Sequence, residues 1–492
     1  MAKSWGNNMK KTIILIQPRV GYLDNVKNNF STPLAILCVA SAICEDYDVK
    51  IFDQRLNPDW KKKLNELLKT DPVCIGITSM TGEQLKHALE ISEWIKSRGR
   101  YTIVWGGIHP TLDSETVLKN NNIDYVVCGE GEETFKELVN SISKNLNVNS
   151  VKGISFKDKN RKIIHTPQRN FIDLNNLPQL PYHLVDMEKY IGKYKGRRSL
   201  HIQLSRGCPF SCSYCYNSVY NKSFWRTLTV ENAFKKISFL YNKYDIRYFD
   251  FIDDNLFVKL DRMEKLADEI IKNKMDIIWK GTLEIPSSKK MSEDYIAKMA
   301  KAGLERLEVG VESGSNRILK MVNKHQTIED VYELNKKLSK FNITPGYNFM
   351  VGFPSETRED VQMTLKSALK LLEENPNAEI NGVYCYTPYP GTPLYNELTK
   401  FGFVPPKSIE EWSKFTGDHI ETPWISPKEK KRLSNIQFAS YFLNKKGSDL
   451  LDVKKTIQIL SRFYQPIARA RFRFNFFGLM AETKFLKFYR GL

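Results

Sequence analysis

Apolar residues fall into two alternating rhythms over the first 145 positions. Short β-branched runs at 12–17, 48–53, 73–78, 101–105 and 123–127 have the length and composition of strands. Between them, stretches such as 60–69 and 84–97 repeat apolar residues every three or four positions, as amphipathic helices do. This order predicts an α/β fold with a flavodoxin-like, doubly wound parallel sheet. Ligands of such sheets sit at the carboxyl ends of the strands, and glycines cluster there. Gly106 and Gly107, followed by His109, come after the fourth run; Gly129, Glu130 and Gly131 come after the fifth. Glycine lets backbone approach a ligand closely, but it is also common in plain turns.

The alternation pauses over 148–196. Residues 170–182 have little periodicity and contain Pro178 and Pro181, so this segment is expected to be a connector. It resumes with strands predicted at 200–205, 247–252, 277–282, 305–311, 344–350 and 379–385, separated by amphipathic helices such as 230–241 and 262–272. Six strand–helix units fit a partial (β/α)6 TIM-type barrel and also fit an open sheet. The pattern beyond residue 400 is mainly helical. The expected divisions are 10–147, 148–196, 197–400 and 401–492.

Charge adds a hint about partners. The net charge is +18, which favours nucleic acid, an anionic membrane surface or phosphorylated molecules. Part of the excess is local: Arg462, Arg469, Arg471, Arg473, Lys484, Lys487 and Arg490 face one acid, Glu482, within 462–492. Aromatic residues interleave with them, which suits peripheral membrane contact or RNA. An ordinary surface helix packed through its aromatics fits equally. The amino terminus lacks an apolar signal core and no apolar run reaches membrane-spanning length, so the expected compartment is cytoplasmic, with membrane association through 462–492 left open.

Eight cysteines are present. Cys38, Cys44, Cys74, Cys128 and Cys385 lie singly in apolar runs, as small hydrophobes do. Cys208, Cys212 and Cys215 are different. They are spaced CxxxCxxC in the loop after a predicted strand. In a reducing compartment such thiols are metal ligands. Iron–sulfur cubanes normally take four thiolates. Three nearby suggest a cubane with one iron open to a small molecule. The alternative is structural zinc, for which His201 is the nearest candidate fourth ligand.

This motif, with Tyr214 before its third Cys, resembles the radical S-adenosylmethionine (SAM) superfamily. Further matches stand in order: Asp253-Asp254-Asn255, Gly310-Val311-Glu312-Ser313-Gly314, Gly352-Phe353-Pro354-Ser355-Glu356 and 386–395. The resemblance implies that Cys208, Cys212 and Cys215 hold a [4Fe–4S] cluster whose fourth iron binds SAM. It places Tyr214, Asp254, Asn255, Glu312 and Ser313 at the SAM site. For Asp254 and Asn255, capping of the following helix is the competing role. The first domain resembles the cobalamin-binding domain of a large radical SAM class, which puts Gly106, Gly107, His109, Gly129, Glu130 and Gly131 around cobalamin. One departure is plain. Where cobalt-ligating domains carry Asp-x-His-x-x-Gly, this chain has Gln17-Pro18-Arg19-Val20-Gly21, and a guanidinium cannot ligate cobalt. The resemblance then implies a corrin without a lower histidine, with His109 orienting its loop rather than binding metal.

The implied activity is methylation of an unactivated carbon of a small or lipid-like molecule. It uses SAM twice and needs an electron donor of the flavodoxin or ferredoxin type. A radical SAM oxidation, cyclisation or C–C coupling is the runner-up. A cobalamin- or redox-sensing binding protein is the alternative outside catalysis. No specific nucleic acid is expected.

Overall fold

The computed structural model describes residues 10–21, 24, 30–415, 422–444, 455–478 and 480. The chain forms two compact units. Among the described residues, one comprises 10–21, 24, 30–190 and 405–415; the other comprises 191–404, 422–444, 455–478 and 480.

In the first unit, strands β1 (Thr12–Gln17), β2 (Asp48–Asp53), β3 (Cys74–Thr78), β4 (Ile103–Gly106) and β5 (Tyr125–Val127) are parallel in the order 2-1-3-4-5. This is the flavodoxin-like winding that the hydrophobic pattern predicts. Ile13, Ile14, Leu15 and Ile16 are buried because helices cover both faces of the sheet. The expected connector contributes two strands, β6 (Ile154–Lys157) and β7 (Ile163–His165), which extend the sheet antiparallel beyond β5. They are too short to show a rhythm in sequence. Residues 405–415 return from far along the chain to this unit, where Trp412 is fully buried.

The second unit contains β8 (Gly192–Tyr194), β9 (Arg197–Ile202), β10 (Ser205–Arg206), β11 (Arg226–Thr227), β12 (Tyr248–Phe251), β13 (Ile278–Leu283), β14 (Leu304–Glu312), β15 (Thr344–Val351) and β16 (Glu379–Cys385). Strands β9 and β12 to β16 are parallel and lie side by side in chain order, with β8 antiparallel on the edge. An open doubly wound sheet would reverse its order midway. Sequential order is barrel winding, and the sheet is a curled partial (β/α)6 barrel.

Alternation along these strands sorts the side chains. Phe249, Phe251, Trp279, Leu307, Val309, Tyr347 and Phe349 are buried on the helix-covered side. Each such burial contributes about 1.5–3 kcal/mol. The opposite face is polar. Helix Pro427–Ser440 closes the β16 edge: Ser440 Oγ accepts from Val383 N at 2.9 Å. Just beyond the helix, Asn444 pairs with Ile380 N and O at 2.8 and 3.1 Å. A raw strand edge is thereby satisfied.

Candidate cluster, SAM and cobalamin sites

The cysteine loop begins where β9 ends. Its neck is a two-residue antiparallel ladder of β10 with β11. Gly207, at φ +86°, passes so close to the chain that a Cβ would lie 2.1 Å from Phe224 O. Only glycine fits there. Two acids at the end of β12 secure the neck. Asp253 is buried and accepts from Leu204 N at 3.1 Å and Ser205 Oγ at 2.5 Å. Burial pushes its carboxyl up to about 6 despite those bonds. Asp254 accepts from Gly207 N at 3.0 Å and from Tyr216 Oη at 2.9 Å. Asn255 is fully buried, with Nδ2 4.0 Å from Cys208 Sγ. The far side of the loop is tied by Ser213 N to Val322 O and by Leu394 N to Ser213 O.

Cys208 and Cys212 are buried and Cys215 is half-buried. Burial pushes the three thiols up to about 12, 11 and 12, and each feels the charge of a neighbouring cysteine or acid. Such thiols stay protonated unless a metal supplies the compensating charge. Among the described residues no three His, Cys, Asp or Glu side chains converge on one ion. His201 is engaged elsewhere: its Nε2 lies 3.1 Å from Asp250 Oδ2.

Beside Cys212 sits a buried charge triad, of which the sequence had pointed only to Glu312. Lys324 Nζ is 2.7 Å from Glu284 Oε2 and 3.2 Å from Glu312 Oε1, and its side chain is 3% exposed. Burial opposes the ammonium charge, but the two carboxylates outweigh it and raise the lysine pKa. Glu312 has φ +68°, rare for a non-glycine residue, at a register shift in the β14–β15 pairing. Gly310 leaves room for it: a Cβ there would lie 2.6 Å from Glu312 Oε1. Glu284 follows β13 directly, and an acid just past a barrel strand was its only signal. Lys324 gave none.

The structure gathers Asp254, Asn255 and Glu312 near the cysteines. Tyr214 packs edge-on against Phe353 at 5.9 Å. Ser313 turns to the helix side, with Oγ 3.2 Å from Thr364 Oγ1. Glu356 holds its loop by accepting from Gly352 N at 2.5 Å and Phe353 N at 3.3 Å. Its Oε1 is buried without a partner, and burial raises the carboxyl to about 8. On the polar face of the sheet, Lys280 shares Asp250 Oδ2 at 3.0 Å, while Arg306 joins Glu308 at 2.7 Å and Glu379 at 2.6 Å. Burial alone would raise Asp250; Lys280 and His201 outweigh it and hold the carboxyl at about 2.

In the first unit the loops after β3, β4 and β5 are bonded together. Ser79 N donates to Gly106 O at 2.9 Å, and Gly129 N to Thr111 Oγ1 at 2.9 Å. Gly107, at φ +104°, would carry a Cβ 2.7 Å from Ser79 O. Gly129, at φ +82°, has nothing within 4 Å of its Cβ position. Gly131 opens a helix whose preceding residue, Glu130, accepts from Ile172 N at 3.0 Å. His109 is fully buried. Its Nδ1 shares a hydrogen bond with Thr81 Oγ1 at 3.0 Å, Trp412 lies edge-on at 5.4 Å, and burial lowers its pKa to about 4. His109 Nε2 and Ser79 Oγ are buried without partners. The open space at the Cβ position of Gly129 and these two orphan groups near the strand ends fit a cofactor with many amide side chains, as cobalamin has.

Residues 202–368 match the family model of the Radical SAM superfamily, and residues 22–139 that of the B12 binding domain. The chain is 31% identical over 467 residues to an uncharacterized methyltransferase of Pyrococcus horikoshii, covering 92% of this chain and 98% of that protein. The chain belongs to the radical SAM superfamily, in the class that carries a B12-binding domain. This radical SAM enzyme is also 28% identical to the anaerobic magnesium-protoporphyrin IX monomethyl ester cyclase of Rubrivivax gelatinosus, over 73% of this chain and 66% of that one. Its fold is shared with OxsB solved with aqua-cobalamin and SAM (TM-score 0.69, 17% identity, 94% of this chain, 76% of that one). The same holds for TsrM of Kitasatospora setae (TM-score 0.65, 18% identity, 79% and 76%). The cofactors of this enzyme are a [4Fe–4S] cluster, SAM and cobalamin.

Proposed function

We propose that this radical SAM enzyme methylates an unactivated carbon of a small organic acceptor. One observation carries the reading: a single chain holds both a three-cysteine site with a charge triad beside it and a glycine-lined cobalamin crown. Curated relatives point the same way, among them the bacteriochlorophyllide d C-8(2)-methyltransferase of Chlorobaculum tepidum and the cytidylyl-2-hydroxyethylphosphonate methyltransferase of Streptomyces wedmorensis. When bound, the reduced cluster with SAM supplies a hydrogen-abstracting radical, and cobalamin supplies the methyl group.

The chain's own residues do the positioning. Cys208, Cys212 and Cys215 would hold three irons and leave the fourth for SAM. The Glu284–Lys324–Glu312 triad carries a net negative charge, which favours a sulfonium ligand over a neutral one. Asp253 and Asp254 fix the neck of the loop that would hold the cluster. In the first unit, Gly106, Gly107, Gly129, Glu130 and Gly131 shape the cobalamin surface, and His109 binds its loop to that of Thr81. Electrons would come from a flavodoxin- or ferredoxin-type donor.

The test needs no known acceptor to begin. Anaerobically reconstituted enzyme with SAM and reductant should release S-adenosylhomocysteine only when cobalamin is added. With an acceptor from a panel of tetrapyrroles and phosphonates, 5′-deoxyadenosine should rise alongside it. Deoxyadenosine without cobalamin-dependent homocysteine product would overturn methyl transfer. It would favour the second reading, a radical cyclisation or oxidation, which the similarity to the cyclases supports.

A further inference from the structure

The helix Lys455–Phe474 has two apolar faces. Its inner face carries Ala468 and Phe472, which are buried. On the other side Phe463, Ile467 and Phe474 are 77%, 51% and 77% exposed. With 3.6 residues per turn, these three and the exposed Ala470 fall within an arc of about 60°. Phe476, just past the helix end, is 53% exposed. Isolated exposed apolar residues are ordinary, but an aligned row of large ones marks an interaction surface.

Arginines border the row on both sides. The helical period puts Arg462, Arg469 and Arg473 along one flank and Arg471 along the other. Arg469 Nε donates to Leu443 O at 2.9 Å, Arg471 Nη1 donates to Phe476 O at 3.1 Å, and Arg473 pairs with Glu373 at 2.7 Å. These contacts hold the guanidinium groups at the margins of the apolar strip. No helix among the described residues is long and apolar enough to cross a bilayer. A strip of this kind lies in the plane of an interface instead.

We propose that this face docks on an anionic lipid bilayer, with Phe463, Ile467 and Phe474 in the acyl boundary and the arginines among the headgroups. Two competitors fit less well. A second copy meeting this face across a two-fold axis would bring like-charged flanks together in a chain of net charge +18. RNA would use the arginines, but Ile467 offers no ring for a base to stack on. The remainder of the basic aromatic tail, 481–492, lies outside the described residues.

The proposal is independent of the methyl-transfer reading, and so is its test. Full-length enzyme should float with phosphatidylcholine–phosphatidylglycerol vesicles and much less with phosphatidylcholine alone. Added salt should weaken the association. The exposed-face variant F463S/I467S/F474S should lose about tenfold in vesicle partitioning, and I467S alone should lose part of that. Both variants should keep their iron content and SAM cleavage. Failure of the parent to float, or flotation of the triple variant like the parent, overturns the proposal. So does light scattering that shows a dimer only in the parent, or an RNA gel shift that only the parent gives.

Discussion

Trp412→Ala should loosen the cobalamin crown from a distance in sequence. Trp412 is fully buried, packs at 5.1 Å on Phe415 and at 5.4 Å on His109, and donates through Nε1 to Asp113 Oδ2 at 2.9 Å. Removing a buried indole costs about 3–5 kcal/mol. The loop 106–113 would then open locally more often. At 1.4 kcal/mol per factor of ten, amide exchange there should speed up on the order of a hundred- to a few-thousand-fold. Trp412→Phe keeps a ring but loses a charged hydrogen bond, about 1.5–3 kcal/mol, so exchange should rise roughly ten- to a hundredfold. Hydrogen exchange with mass spectrometry on peptides spanning 106–113 reads both. Cobalamin titration followed by absorbance should show weaker binding in the same rank order, while SAM cleavage capacity per cluster is unchanged. Exchange of Trp412→Ala within about threefold of the parent would refute the reasoning, since less than 1 kcal/mol would then be at stake.

Each of Cys208→Ala, Cys212→Ala and Cys215→Ala should reduce reconstituted iron and the cluster's visible absorbance to background, with cobalamin uptake intact. Lys324→Met leaves Glu284 and Glu312 facing each other without a cation, a loss of about 3–5 kcal/mol readable by denaturant unfolding. Adding Glu284→Gln should restore a good part of it, and no recovery would mean that the triad is not coupled. Glu356 has a folded pKa raised to about 8 against about 4.3 when unfolded. Its contribution is therefore full below the unfolded value and is lost as pH rises through 8. Unfolding midpoints of the parent should fall between pH 6 and pH 9, and Glu356→Gln should flatten that fall.

The strands were legible because burial on two faces forces β-branched runs that little else in the chain imitates. Runs 12–17, 48–53 and 379–385 match β1, β2 and β16 residue for residue. The strand expected at 200–205 is instead Arg197–Ile202. Leu204 continues the apolar rhythm, but Asp253 captures its amide and draws the chain out of the sheet into the cysteine loop. No local pattern could reveal that, because the capturing acid lies 49 residues away.

The same logic divides the site. Three cysteines and their glycine announce themselves because they stand close together in sequence. Asp254 was legible as a position and not as a geometry: its carboxylate is engaged by Gly207 N and Tyr216 Oη, so what it does in the structure is shape the loop. Lys324 and Glu284 are 40 residues apart, and only the barrel brings them together. Net charge at the site thus depends on partners drawn from two strand ends and from the loop after the helix Asn316–Met321. Any change to one of them alters the field felt by Cys212 without touching the motif that identifies the family.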